Sequence, residues 1–136
     1  MVSAATYRTL VRSSGWYDLV VTAGFATPWT FVMIQGALAA LAVSLHLPGA
    51  LPVMSPMLVL LANLLGSVVI VWSIIRIRDP QQKYGRYDAA ARFLFAMWQI
   101  YAVVQGASVI ILGFTVMEVL FGVLQVLPVK AEVGAE

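Results

Sequence analysis

Long apolar runs separated by short polar breaks dominate the chain, and each break sets the element that follows it. Residues 3–14 put Tyr7, Leu10, Val11 and Ser14 on one helical face and Arg8 and Arg12 on the other. That is the spacing of a short amphipathic helix lying on a membrane surface. From Trp16 to His46 only Asp18 and Gln35 interrupt an apolar run of about 31 residues, too long for one straight crossing of a hydrocarbon core of about 30 Å. Two spans would leave about 15 residues each with no polar turn between them, shorter than a crossing needs. Proline removes a backbone donor, so at Thr27-Pro28 the helix either kinks or restarts with Thr27 as N-cap and Pro28 as first residue. Both make one crossing, and a single long, tilted, kinked helix is the preferred reading. Within it, Gly36, Ala40 and Ser44 recur at every fourth position, a flat stripe for a packing helix.

Pro and Gly punctuate residues 47–52, and Ser55-Pro56 is a helix start with a hydroxyl cap and proline in the first turn. A second span is expected over Met57 to Ile75, closed by Arg76 and Arg78. Residues 76–88 form the one substantial polar loop, in which Pro80 and Gly85 argue against a continuous helix and Asp88 is placed to cap the next one. The third span then runs from Ala89 to Gln105, with Arg92 one turn inside and long enough to snorkel outward. A tight break at Gly106-Ala107-Ser108 leads into a fourth span from Val109 to Leu127, ended by Pro128. Length decides that division, since a single helix of those residues would reach about 58 Å. The reading is an all-α protein: a four-transmembrane-helix bundle over 15–128, preceded by the amphipathic segment 1–14 and followed by a tail, 129–136.

Charge placement bears on this count independently. All eight Lys and Arg residues fall on one side if there are four spans, and three or five would scatter them. Basic residues in short loops mark the cytoplasmic face, so both termini and the charged loop are expected there, in a multi-pass protein. Composition agrees: 62% of residues are hydrophobic and 10% charged, against roughly 25% charged in soluble domains. Arg8 and Arg12 ahead of an apolar stretch ending in Gly24-Phe25-Ala26 resemble a signal peptide, but Asp18 interrupts the stretch and hydrophobicity resumes after Pro28. The absence of cysteine removes disulfides, thiol catalysis and thiolate metal sites. The net charge of +2 needs no nucleic-acid partner, because topology alone puts those cations beside the spans. No internal repeat is evident, which gives no support to an inverted-repeat transporter.

Chemistry concentrates in a few polar residues within the spans. Glu118 falls near the middle of the fourth, where an uncompensated charge costs at least about 2.5 kcal/mol on insertion scales. Counting outward from the turn near Ala107 puts Gln99 at the same depth, so a hydrogen bond between them is expected. Tyr101 and Gln105 extend the polar track outward, and Asn63 meets it from the second span. Asp18 lies near the inner interface, where Arg76 or Arg92 is placed to pair with it. These six, Asp18, Asn63, Gln99, Tyr101, Gln105 and Glu118, are the candidate ligand-binding set, with helix-to-helix hydrogen bonding as the competing explanation. His46 stands without Cys, His or carboxylate partners at metal-ligand spacing, so no metal and no cofactor are expected. The cluster Arg76, Arg78, Asp79, Lys83, Tyr84, Arg86 and Asp88 suits anionic lipid headgroups or a partner, or serves topology alone.

Gly15-Trp16-Tyr17-Asp18-Leu19 opening an apolar span, and a charged inner loop ending in Tyr84-Gly85-Arg86-Tyr87-Asp88, resemble in layout the DoxX-like small four-helix membrane proteins of bacteria. The resemblance implies a four-helix bundle in the inner membrane and transfers no functional residue. Nucleophile elbow, phosphate loop and haem motifs are missing. The leading expectation is accordingly a non-enzymatic bundle holding a small or lipidic ligand, or supporting a partner subunit or second copy. The alternatives are a small oligomeric proton-coupled transporter using Glu118, and a lipid or quinone isomerase or redox accessory protein.

Overall fold

The computed structural model describes residues 1–130, so the tail is described only as far as Lys130. Five α-helices account for most of it: α1 (Ala4–Thr22), α2 (Pro28–Ser44), α3 (Pro56–Arg78), α4 (Gln82–Val104) and α5 (Leu112–Val126). Short 3-10 turns at Ala23–Phe25 and Val109–Ile111 precede α2 and α5. Three starts follow one rule, a hydroxyl that accepts an otherwise unpaired first-turn N–H. Ser3 accepts from Thr6, Thr27 from Thr30 and Ser55 from Leu58. Pro28 and Pro56 stand in the first turn, where the missing N–H costs nothing.

Four expectations are corrected. The amphipathic segment is not a separate helix; α1 runs through Ser14 and Gly15 without a break. The long kinked helix is instead broken, α1 with its 3-10 turn and α2 meeting at 99°. Asp88 is not a cap, because α4 begins at Gln82 and only Asp79-Pro80-Gln81 interrupt the helices there. Gly85, read as a breaker, is inside α4 and buried. A Cβ there would lie 2.6 Å from the Tyr7 hydroxyl and 2.7 Å from Val11, so its missing side chain serves close packing.

The helices associate chiefly as two pairs, α1 along α3 and α4 along α5. Small residues set the approach of the first pair. A Cβ on Gly15 would lie 3.1 Å from the Ser73 carbonyl oxygen, and one on Gly66 would lie 2.7 Å from the Phe25 carbonyl carbon. Backbone pairing identifies the two ends of the bundle. At one, Val2 donates to Pro128 and Lys130 donates back to Val2, and Ala4, Arg8, Gln81 and Val129 line a shared hollow. At the other, Ala50 donates to Gly106 and accepts from Ser108. Gly106 adopts φ 99°, a conformation open to glycine that makes the α4-to-α5 turn tight.

The distribution of side chains is inverted relative to a water-soluble domain. Among the described residues the buried apolar side chains are Tyr7, Val11, Phe31, Ala89 and Ala96, whereas Ser14, Ser73, Arg76, Asp88, Arg92, Ser108, Thr115 and Gln125 are buried polar or charged. Most large apolar side chains of α2, α3 and α5 are exposed instead. Two segments, Pro56–Arg78 and Val109–Val126, are long and apolar enough to cross a membrane, and a third if α1 and α2 count as one bent span. Helix α4 matches α3 in length at 23 residues but carries Lys83, Arg86, Asp88 and Arg92. The protein is thus all-helical with apolar spans of membrane type.

Candidate functional site

Polar residues one or two turns apart line the inward face of four helices: Ser14 and Asp18 on α1, Trp72, Ser73 and Arg76 on α3, Asp88 and Arg92 on α4, Glu118 and Gln125 on α5. Where these faces converge they form one network. The Arg76 guanidinium, wholly buried, donates from one terminal nitrogen to Asp18 Oδ2 at 2.5 Å and from the other to Asp88 Oδ2 at 2.5 Å and to Ser14 at 2.9 Å. Arg92 donates from Nε to Asp88 at 2.9 Å and from its terminal nitrogens to Asp18 at 2.6 Å and Glu118 at 2.8 Å. The rigid fork of arginine, with five N–H donors, allows one side chain to hold carboxylates from different helices.

Asp88 is the most heavily committed acid. Besides both arginines it accepts from Trp72 Nε1 at 2.9 Å and from Gln125 Nε2 at 2.8 Å. Gln125 continues the network to Ser14 at 2.8 Å, and its backbone oxygen takes the Tyr7 hydroxyl at 2.6 Å and Arg86 at 3.0 Å. Aromatic rings cover the two cations: Trp72 lies 5.5 Å from the Arg76 guanidinium carbon, and Phe121 lies 5.0 Å from that of Arg92. Two buried atoms, Arg76 Nε and Gln125 Oε1, make no hydrogen bond among the described residues.

Charge counting gives the cluster its chemical character. Two guanidiniums face three carboxyls, so with every group ionised one negative charge is left over. An uncompensated charge in a medium of low polarity is costly, and a proton or cation drawn from water cancels it. The side chains with an open edge are Asp18 at 12% and Glu118 at 13% exposure, against 4% for Asp88. Tyr17 and Phe121, with ring centroids 5.4 Å apart, pack beside them between α1 and α5.

Of the six candidate residues, the structure brings Asp18 and Glu118 together and leaves four elsewhere. The pairing of Asp18 with Arg76 and Arg92 is as expected. The expected Glu118 to Gln99 bond is not formed: Glu118 takes Arg92, and Gln99 accepts from Thr115 at 2.8 Å. Tyr101 and Gln105 bond to each other on the exposed surface. Asn63 donates to the Phe25 carbonyl at 2.8 Å, at the break between α1 and α2. Arg76 does not close its span at the interface and Arg92 does not snorkel, because the carboxylates that satisfy them lie inside. Ser14, Trp72, Asp88 and Gln125 are further members that the sequence pattern does not single out. For three of them the available signal is helical phase, since Ser14 with Asp18, Trp72 with Arg76 and Asp88 with Arg92 are each four apart; Gln125 lies seven residues, two turns, from Glu118.

No family model, curated protein sequence or solved structure matches the chain.

Proposed function

We propose that the chain is a small multi-pass membrane protein without catalytic chemistry, in which the cluster of Asp18, Arg76, Asp88, Arg92 and Glu118 is a proton-sensitive lock between two helix pairs. The observation that carries this reading is the surplus carboxyl in a network joining α1, α3, α4 and α5. Binding one proton at Glu118 balances the charge and holds α1 against α4 and α5. Releasing it restores the surplus, which repels within the network and loosens the junction. A non-enzymatic bundle that answers to pH in this way suits a ligand-responsive or accessory subunit.

Four crossings are part of the proposal. Helix α2 is apolar on every side and lacks the polar face of an interfacial helix, so lipid surrounds it and α1 with α2 makes one bent crossing. The inner charges of α4, Asp88 and Arg92, are taken up by the cluster and do not face lipid, which makes α4 another. Both termini, the Asp79-Pro80-Gln81 turn and the basic residues then share the cytoplasmic side of a bacterial inner membrane, a layout like that of DoxX-like proteins.

Infrared difference spectra of the reconstituted protein between alkaline and acidic buffer test the lock. A carboxyl C=O band should appear on acidification and be lost in Glu118→Gln or Asp18→Asn; its absence from the unaltered protein would remove the proposal. The exposure of both acids at one edge also favours a second reading, an oligomeric proton-coupled transporter. That reading predicts proton flux in proteoliposomes that Glu118→Gln abolishes, and equal flux in the variant excludes it.

A further inference from the structure

A second feature adjoins Trp72, outside the charge cluster. Ser67, Val68, Val71, Trp72 and Ile75 line a shallow groove of about 390 Å³ along α3, its walls almost wholly apolar. Val68, Val71 and Ile75 are spaced three and four residues apart, so they form one face of the helix. Continuing that spacing leads to Arg78, exposed at the end of α3. The Trp72 indole that walls the groove packs edge-on against Tyr84, with ring centroids 5.8 Å apart, and Lys83 Nζ stands 5.0 Å from the Tyr84 ring. Arg78 and Lys83 make no ion pair among the described residues. Asp79, the acid beside them, is engaged by Gln81.

We infer that this groove is a binding site for an anionic glycerophospholipid, one acyl chain lying along Val68, Val71 and Ile75 and the phosphate held by Arg78 and Lys83. The dimensions agree with a single leaflet: from Ser67 to Ile75 the helix rises about 12 Å, under half of a hydrocarbon core of about 30 Å. The charge gradient agrees as well, since the groove is apolar along its length and cationic at the end next to the basic face. Two cations near the headgroup favour an anionic over a zwitterionic lipid by on the order of ten-fold or more. Because Trp72 also donates to Asp88, a chain in the groove abuts the indole that holds the central acid of the cluster. The inference rests on the membrane-spanning reading but not on the proton lock.

Tryptophan quenching in nanodiscs of zwitterionic phosphatidylcholine tests it with the full chain. With Trp16, Trp29 and Trp98 replaced by Phe, Trp72 is the one reporter, titrated with brominated phosphatidylglycerol or brominated phosphatidylcholine. Half-quenching should need about ten-fold less of the glycerol lipid, and the double substitution Arg78→Gln with Lys83→Gln should abolish the difference while leaving helix content unchanged. Equal quenching by the two lipids in the unsubstituted-cation protein overturns the site, as does a preference that survives removal of both cations. In a companion Trp72→Phe protein the exposed Trp16, Trp29 and Trp98 should be quenched by brominated phosphatidylcholine whether or not the groove binds. Failure of that control overturns the membrane reading instead, and the site with it.

Discussion

Removing a cation from the cluster should be far more damaging than removing the acid it meets at the edge, and Arg92 with Glu118 makes the sharpest comparison. Arg92→Gln deletes contacts to Asp18, Asp88 and Glu118 at 2.6, 2.9 and 2.8 Å. It also takes the cluster from one surplus negative charge to two. Breaking a buried ion pair from one side costs about 3–5 kcal/mol, a fall of roughly a hundred- to several-thousand-fold in the folded ratio at about 1.4 kcal/mol per ten-fold. Glu118→Gln keeps an amide oxygen able to accept from Arg92 and cancels the surplus, so its cost should stay within about 1 kcal/mol. Reversible unfolding in mixed micelles, followed by helical circular dichroism as the denaturing detergent is raised, measures both. The double variant should recover part of the Arg92→Gln loss, because it returns the cluster to a single surplus charge. Equal losses for the two single variants would refute the charge accounting.

Packing and capping give further tests by the same unfolding assay. Gly66→Ala drives a Cβ into the Phe25 backbone and should destabilise by about 1–3 kcal/mol, whereas Gly36→Ala meets open space and should be neutral or gain up to about 1 kcal/mol. Gly85→Ala meets the Tyr7 hydroxyl and Val11 and should cost about 1–3 kcal/mol, with the N-terminal residues becoming more accessible to protease. Asn63→Leu strips the Phe25 carbonyl of its donor and should cost about 1–3 kcal/mol; no measurable loss would show that the break between α1 and α2 does not need it.

Local signals proved readable where a residue type has one dominant use. Ser55-Pro56 starts a helix, and Gly106 turns the chain, because caps, first-turn prolines and positive φ are decided within a few residues. Gly85 and Asp88 misled for the converse reason. Next to Pro80 they look like a breaker and a cap, but Gly85 is demanded by Tyr7 from another helix and Asp88 by two arginines, neither of which is visible locally. Depth counting from the turn put Glu118 opposite Gln99, yet the residue meeting Gln99 is Thr115, one turn nearer the turn. The long Arg92 side chain then reaches Glu118, a connection that simple counting along two helices does not reveal. Asp18 was legible because a lone acid near an apolar interface needs a cation, and the sequence offers Arg76 and Arg92 at that level.

The account depends on lipid covering the apolar exterior of four crossings while the charges face inward. Since the chain has no cysteine, single replacements Pro52→Cys, Gln82→Cys and Val116→Cys in the full chain can be probed with a membrane-impermeant maleimide applied to vesicles of either orientation. The expected result is labelling at 82 from the cytoplasmic face, at 52 from the opposite face, and at 116 from neither, although Val116 is 65% exposed on the protein itself. Labelling of 52 and 82 from the same face, or ready labelling of 116, would contradict it.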